Sequence, residues 1–136
     1  MTKEMIVRKY LGTPFKNHGR TIEEGLDCYG LVVAIYADLG VRLYDTAETY
    51  DSKWAFKNKN LLLENCWRDW KEVKDPKFLD VICFDNREGV GYHLGVLLDA
   101  HNFIHTSKAG TVVGRLSAWK EKTRGFYRYR YGVKHD

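Results

Sequence analysis

The sequence predicts a single α+β domain spanning residues 1–136, on three observations. Helical signals fill the first half of the chain, and strand signals with short polar turns follow Pro76. Helices first and an antiparallel meander afterwards is the α+β pattern. A length of 136 residues with 44% hydrophobic and 14% aromatic content suits one packed core and does not suit a disordered chain.

The elements follow in order. Met5 to Leu11 reads as a short amphipathic helix closed by Gly12, with a loop through Thr13-Pro14 and His18-Gly19 after it. Thr21-Ile22-Glu23-Glu24 has the form of a capping box and predicts a turn of helix that Gly25 cuts short. Cys28 to Leu39 is apolar nearly all round, which predicts the central buried helix, with Asp27 as N-cap and Gly40 as stop. Between Asp45 and Asn65, Trp54, Phe56 and Leu61 to Leu63 suggest one further helix on the outside.

Leu79 to Phe84 then reads as a strand, Asp85 to Gly89 as a polar turn and Tyr92 to Leu98 as a second strand. Asp99 to Asn102 looks like a hairpin loop, and Phe103 to Thr106 is the returning strand. Gly110 to Val113 and Gly125 to Tyr131 supply two more strands, with Trp119 to Lys122 as a solvated connection. No internal repeat or low-complexity segment interrupts the pattern.

Composition narrows the function classes. Three cysteines, Cys28, Cys66 and Cys83, form no disulfide framework and suit a reducing compartment. The N-terminus lacks a signal peptide's apolar stretch, so synthesis in the cytoplasm without a signal peptide is expected, and no run is apolar enough for a membrane span. A net charge of +4 favours anionic surroundings, cell wall and nucleic acid alike. Arg124, Arg128, Arg130 and Lys134 alternate with Phe126, Tyr127, Tyr129 and Tyr131, as a stacking surface for single strands would. The same alternation describes a strand buried on one face, and no nucleic-acid partner is expected. His101 and His105 stand four apart, but no Cys-x-x-Cys pair accompanies them, and a phosphate-binding loop and a dinucleotide fingerprint are missing, so no metal or cofactor is expected.

The chemistry centres on Asp27-Cys28-Tyr29-Gly30-Leu31. A thiol in a helix's first turn sits at the positive end of the peptide dipoles, which favours the nucleophilic thiolate. The same residue also reads as a small hydrophobe starting a buried helix. A cysteine nucleophile needs a base and usually a group that orients the base. Five histidines are present, and His93 and His105, on neighbouring strands, are the candidates; His101 lies in the hairpin loop and His135 in the C-terminal tail. A symmetric loop over Asp99 to Asn102 pairs Leu98 with Phe103 and puts His93 and His105 on opposite faces. A tight turn or a bulge would be needed to bring them together.

Taken together, these segments resemble the NlpC/P60 family of papain-like cysteine peptidases. Tyr10-Leu11-Gly12-Thr13-Pro14-Phe15 is similar to the family's opening Gly-x-Pro-Tyr motif, and Asp27-Cys28-Tyr29-Gly30-Leu31-Val32 to its Asp-Cys-Ser-Gly-Leu-Val motif. Leu79 to Phe84 resembles the Gly-Asp-Val-x-x-Phe strand. His93-Leu94-Gly95-Val96 and Phe103-Ile104-His105-Thr106 resemble the His-Val-Gly-Ile and Phe-Ile-His-Ala pair. The resemblance implies a papain-like fold with the nucleophile at a helix N-terminus packed on an antiparallel sheet. Its implied triad is Cys28 as nucleophile, His93 as base and His105 as orienting residue.

The activity it implies is cleavage of γ-D-glutamyl–diamino acid amides in peptidoglycan stem peptides. Trp119, Gly125 to Arg128 and Gly19-Arg20 look most like stand-alone members from tailed phages. Those imply a place in the virion tail, contact with other tail-tip proteins and action at the host wall. The alternative is a structural tail-tip or assembly protein with a vestigial site. Two departures from the family pattern stand out: Phe15 replaces the tyrosine that helps hold the oxyanion, and Tyr29 replaces a serine. Asp27, Tyr29, His18, Asn17 and Arg20 are therefore the candidate substrate or oxyanion residues around Cys28.

Overall fold

The computed structural model describes residues 1–43, 69–85 and 91–132. The expected outer helix within 45–65, Cys66, His135 and all but the first residue of the Asp85 to Gly89 turn lie outside them. Helix α1 (Lys3–Tyr10) starts where the Thr2 hydroxyl accepts the Met5 N–H at 3.2 Å. Its Tyr10 hydroxyl donates to Asp38 at 2.5 Å, and Lys9 pairs with the same carboxylate, which fastens α1 to the end of α2 (Cys28–Asp38). Leu31, Val32 and Ile35 of α2 are almost fully buried. Each such side chain contributes about 1.5–3 kcal/mol by leaving water, so α2 is held by the face that carries them, while Ala37 and Asp38 stay exposed.

Two short strands, β1 (Arg20–Thr21) and β2 (Gly25–Leu26), lead into α2. The helical turn expected at Thr21 to Glu24 is not formed. Thr21 Oγ1 does accept the Glu24 N–H at 3.2 Å, but Arg20 pairs with Leu26 and Thr21 with Gly25, so the bond closes a hairpin turn. A capping box and a tight turn share this local bond, and the strand pairing decides between them.

The remaining strands are β3 (Trp70–Val73), β4 (Val81–Asp85), β5 (Gly91–Leu97), β6 (Asn102–Ser107), β7 (Gly110–Arg115) and β8 (Thr123–Tyr129). They form one antiparallel six-stranded sheet in the order β3-β8-β4-β5-β6-β7. Strand alternation divides the side chains between two faces. Val81, Cys83, Leu94, Val96 and Ile104 join the α2 core, whereas Ile82, Phe84, Leu97 and Phe103 form a second cluster on the other face. That second face is covered by Leu116, Trp119 and Phe126. Leu116–Lys122 is a 3₁₀ helix, so the expected solvated connection is corrected in part. Lys120, Glu121 and Lys122 are exposed, but Trp119 turns onto the sheet.

Strand β7 is the last strand of the sheet, and its outer edge is met by the loop after α1. The Gly12 N–H donates to the Thr111 carbonyl and the Thr111 N–H to the Thr13 carbonyl, both at 2.9 Å. At the other end of the sheet, Arg128 forks onto the buried Asp80 carboxylate at 2.9 and 2.7 Å. The Tyr36, Trp70 and Tyr129 rings meet edge to face there, clamping β3 and β8 to α2.

Candidate active site

Asp27 organises the approach to Cys28. Its Oδ1 accepts the Gly30 N–H at 2.7 Å and Arg20 Nη1 at 3.0 Å, while Oδ2 accepts the His18 N–H at 3.0 Å. Arg20 Nη1 also donates to the Gly19 carbonyl at 2.8 Å, and its guanidinium lies over the Tyr29 ring at 5.7 Å. The carboxylate thus caps α2 and fixes the loop beside it in one motion. Gly30 permits that approach: a Cβ there would sit 2.1 Å from the Gly19 carbonyl oxygen. Phe15 is bridged to Leu26, alongside the segment that leads into Cys28, and Asn17 is half-buried in the same loop. The structure therefore uses Asp27 and Arg20 to hold the loop, and Tyr29 is packed into the core at 5% exposure.

The thiol lies against β5. Along that strand the Leu97 N–H points to β4, bonding the Asp80 carbonyl, and the Leu98 N–H points to β6, bonding the Asn102 carbonyl. Continued alternation aims the Leu94 N–H towards β6. The β5–β6 ladder, however, ends at the Gly95–His105 pair, and the Leu94 N–H there acts on the Cys28 thiol, favouring its charged form. The helix start thus reaches the seam where β5 and β6 part, at the residue next to His93.

The two histidines lie on the sheet face opposite α2. Gly95 pairs with His105, so His93 is the diagonal neighbour of His105 on one face. His93 Nε2 and His105 Nδ1 are 2.7 Å apart. A symmetric hairpin loop would separate them; the observed turn is one residue shorter. The Asp99 carboxylate accepts the His101 and Asn102 N–H groups at 2.8 Å, and Leu98 pairs across to Asn102. Asp as the first residue of a turn, bonding its own backbone two and three residues on, is the signal that finds this register. Gly95 keeps the diagonal open, because a Cβ there would lie 2.9 Å from the Phe103 ring and 3.3 Å from His105 Cβ.

Electrostatics alters the expectation for the thiol. Burial pushes Cys28 up to about 12, with the Asp27 charge adding to it, against the weaker pull of the Leu94 and Tyr29 N–H groups. Burial, then His105, pulls His93 down to about 4. Burial lowers His105 as well. At neutral pH the Cys28 thiol and the His93 imidazole therefore both rest uncharged. The helix-start dipole does not by itself generate a standing thiolate, because desolvation outweighs it. Of the two His93 ring nitrogens, Nε2 is the one that faces His105.

Burying neutral histidines has a stability consequence. Above pH 6.5 neither the folded nor the unfolded His93 holds a proton, and the full stability is present. As pH falls from 6.5 towards 4, the unfolded chain binds the proton first, so stability is lost in that window, by up to about 3 kcal/mol from this residue. Urea midpoints measured across that window should fall with pH, and His93→Gln should flatten the dependence. An unchanged slope in His93→Gln would remove His93 as its source.

Buried Cys83, at 1% exposure, is pushed up to about 12 by burial and faces the α2 core. Among the described residues no three His, Cys, Asp or Glu side chains come together as a metal site, and no helix is long and apolar enough to cross a membrane. Sequence reasoning did not place Trp119 at the site, yet it packs on both imidazoles, at 6.1 Å from His93 and 5.2 Å from His105 between ring centres. A tryptophan among lysines was the available signal.

The fold and sequence have known relatives. The NlpC/P60 family model matches residues 12–128. The γ-DL-glutamyl hydrolase of Bacillus subtilis (strain 168) is 32% identical over 126 residues, covering 89% of this chain and 27% of that protein. The chain thus spans about a quarter of that curated relative's length. Among solved structures, an NLP/P60 family protein similar to a lipoprotein from Staphylococcus aureus Mu50 superposes with a TM-score of 0.68 at 21% identity, over 99% of this chain and 41% of that one. The NlpC/p60 domain of the peptidoglycan hydrolase SagA gives 0.61 at 20% identity, over 93% and 96% of the two chains.

Proposed function

This chain belongs to the NlpC/P60 family, and from that premise we propose that it is a cysteine endopeptidase acting on γ-D-glutamyl amides of peptidoglycan stem peptides. The observation that carries the reading is the 2.7 Å contact between His93 Nε2 and His105 Nδ1, with Cys28 at the start of α2 under the influence of the adjoining Leu94 N–H. The γ-DL-glutamyl hydrolase relative supports the bond type, and the SagA domain supports the wall as its setting.

In this mechanism the Cys28 sulfur attacks the amide carbonyl carbon while His93 Nδ1 takes the thiol proton. The resulting imidazolium donates through Nε2 to His105 Nδ1. The Cys28 backbone N–H, in the first turn of α2, faces the developing oxyanion. His93 returns the proton to the leaving amine as the C–N bond breaks, leaving a thioester on Cys28. Water, deprotonated by His93, then attacks the thioester; the carboxylic acid leaves and the thiol is restored. A place in a phage tail tip, with other tail proteins as partners and the host wall as site of action, rests on Trp119, Gly125 to Arg128 and Gly19-Arg20.

The test is mass analysis of an L-Ala-γ-D-Glu-diamino acid peptide and of poly-γ-glutamate after incubation with the protein and with Cys28→Ala. Cleavage of the stem peptide, lost in Cys28→Ala, is the expected result. Equal inactivity of the two proteins on both substrates supports the assembly-protein reading instead. Phe15→Tyr, which adds one hydroxyl beside the segment leading to Cys28, is expected to raise turnover by up to about tenfold, one net hydrogen bond. A neutral Phe15→Tyr with a sharp loss in His18→Ala would move the donor role to the Phe15 to Arg20 loop.

A further inference from the structure

We propose that Trp119 is a positioning residue for the imidazole pair, holding the His93 ring in the one orientation that meets His105 and presents Nδ1 to the thiol. The inference rests on the reading of His93 as the base. His105 is a neutral acceptor and grips a ring nitrogen less firmly than a carboxylate does, so packing must supply what the hydrogen bond does not. One indole supplies it to both rings. It lies nearly parallel to His93, at 6.1 Å and 23°, and edge-on to His105, at 5.2 Å and 75°. Phe84 closes the other contact of His93 at 5.6 Å, and Phe103 that of His105 at 4.9 Å. Rotation of the His93 ring about its χ2 would drive it into the indole or into Phe84.

The indole is itself tied to the hairpin that carries the histidines. The Leu116 N–H, at the start of the 3₁₀ helix, donates to the carbonyl of His101 in the β5–β6 turn at 2.9 Å. At the other end, Thr123 Oγ1 donates to the Trp119 carbonyl at 3.0 Å. Lys122 places its ammonium 5.5 Å above the indole, on a residue that is otherwise exposed. A surface connection needs none of these; together they fix the height and tilt of one ring over two others. The absence of any apolar neighbour in Ala118-Trp119-Lys120-Glu121 beyond the small Ala118 fits a ring placed for its own contacts.

The experiment reads ring tautomers in the intact chain by two-bond nitrogen-15 to proton spectra near pH 7. The unsubstituted protein is expected to show His93 as a single tautomer with its proton on Nε2. Trp119→Leu is expected to mix the tautomers of His93 and to slow Cys28 alkylation by about threefold to tenfold, whereas Trp119→Phe keeps both close to the parent. Should Trp119→Leu fail to fold, Trp119→Met carries the same expectation with a longer apolar chain. Mixed tautomers in the parent, or a single tautomer retained without an aromatic ring at 119, would overturn the proposal. Unchanged peptide turnover in His93→Ala would instead overturn the base assignment and leave the tautomer result standing, so the two failures are distinguishable.

Discussion

His93→Ala is expected to lower stem-peptide turnover by about 10³-fold, within the range that a positioned acid–base group supplies. Two properties make the loss large. The thiol is held protonated by burial, so no standing thiolate remains to attack once the acceptor is gone. The same ring must also protonate the leaving amine, so both halves of the reaction fail together. Cys28→Ala should fall to the background rate, and the double variant should lose no more than Cys28→Ala alone, because the two groups act as a unit. His105→Ala should cost less, since it leaves Nδ1 in place and removes only the partner that orients Nε2. The measurement is initial rate on a γ-D-glutamyl–diamino acid peptide, with thermal midpoints run beside it. A His93→Ala protein within about tenfold of the parent would rule out the ring as the proton acceptor.

The second large effect is expected on stability, from Asp27→Ala. The Asp27 side chain is 7% exposed and the Arg20 side chain 18% exposed, so removing one partner leaves the other poorly solvated. Breaking a buried pair in this way costs about 3–5 kcal/mol, and a lost helix cap falls within that sum. Asp27→Asn separates the contributions, because its amide oxygen still accepts the Gly30 N–H while the charge opposite Arg20 is lost. The expected order of denaturant midpoints is therefore parent, Asp27→Asn, Asp27→Ala. Turnover should fall further than stability in both variants, since the His18 N–H loses its acceptor and the loop beside Cys28 loosens. Equal midpoints for Asp27→Asn and the parent would assign the whole effect to the cap.

The central elements were legible because their signals are local. Asp27 and Gly40 bracket a run of apolar residues, and α2 occupies nearly the predicted span. Strands β4, β5 and β6 follow from their alternating or continuous apolar runs. The register between β5 and β6 was not legible from alternation. It turns on one residue of loop length, set by the Asp99 carboxylate bonding two backbone N–H groups. That single residue decides whether two imidazoles share a face. Strand β3 escaped because Trp70-Lys71-Glu72-Val73 has no alternation of its own; it is recruited by β8 and by the Tyr36 and Tyr129 rings. The state of the thiol is not legible in sequence for a similar reason. The helix start is visible in sequence, but the burial that outweighs it comes from β5, many residues away.

The bonds from Gly12 and Thr13 to Thr111 carry a consequence for how the molecule comes together. They join parts of the chain almost a hundred positions apart, and a contact of such separation forms late, after the intervening loop has been closed at an entropic cost. The loop they pin runs directly on to Phe15, His18 and Arg20, the residues that flank the nucleophile. A nascent chain carries its cysteine long before β7, yet the walls around that cysteine wait for β7 to emerge and dock. Maturation of the site is in this way deferred until β7 has been made and docked, well after the thiol itself.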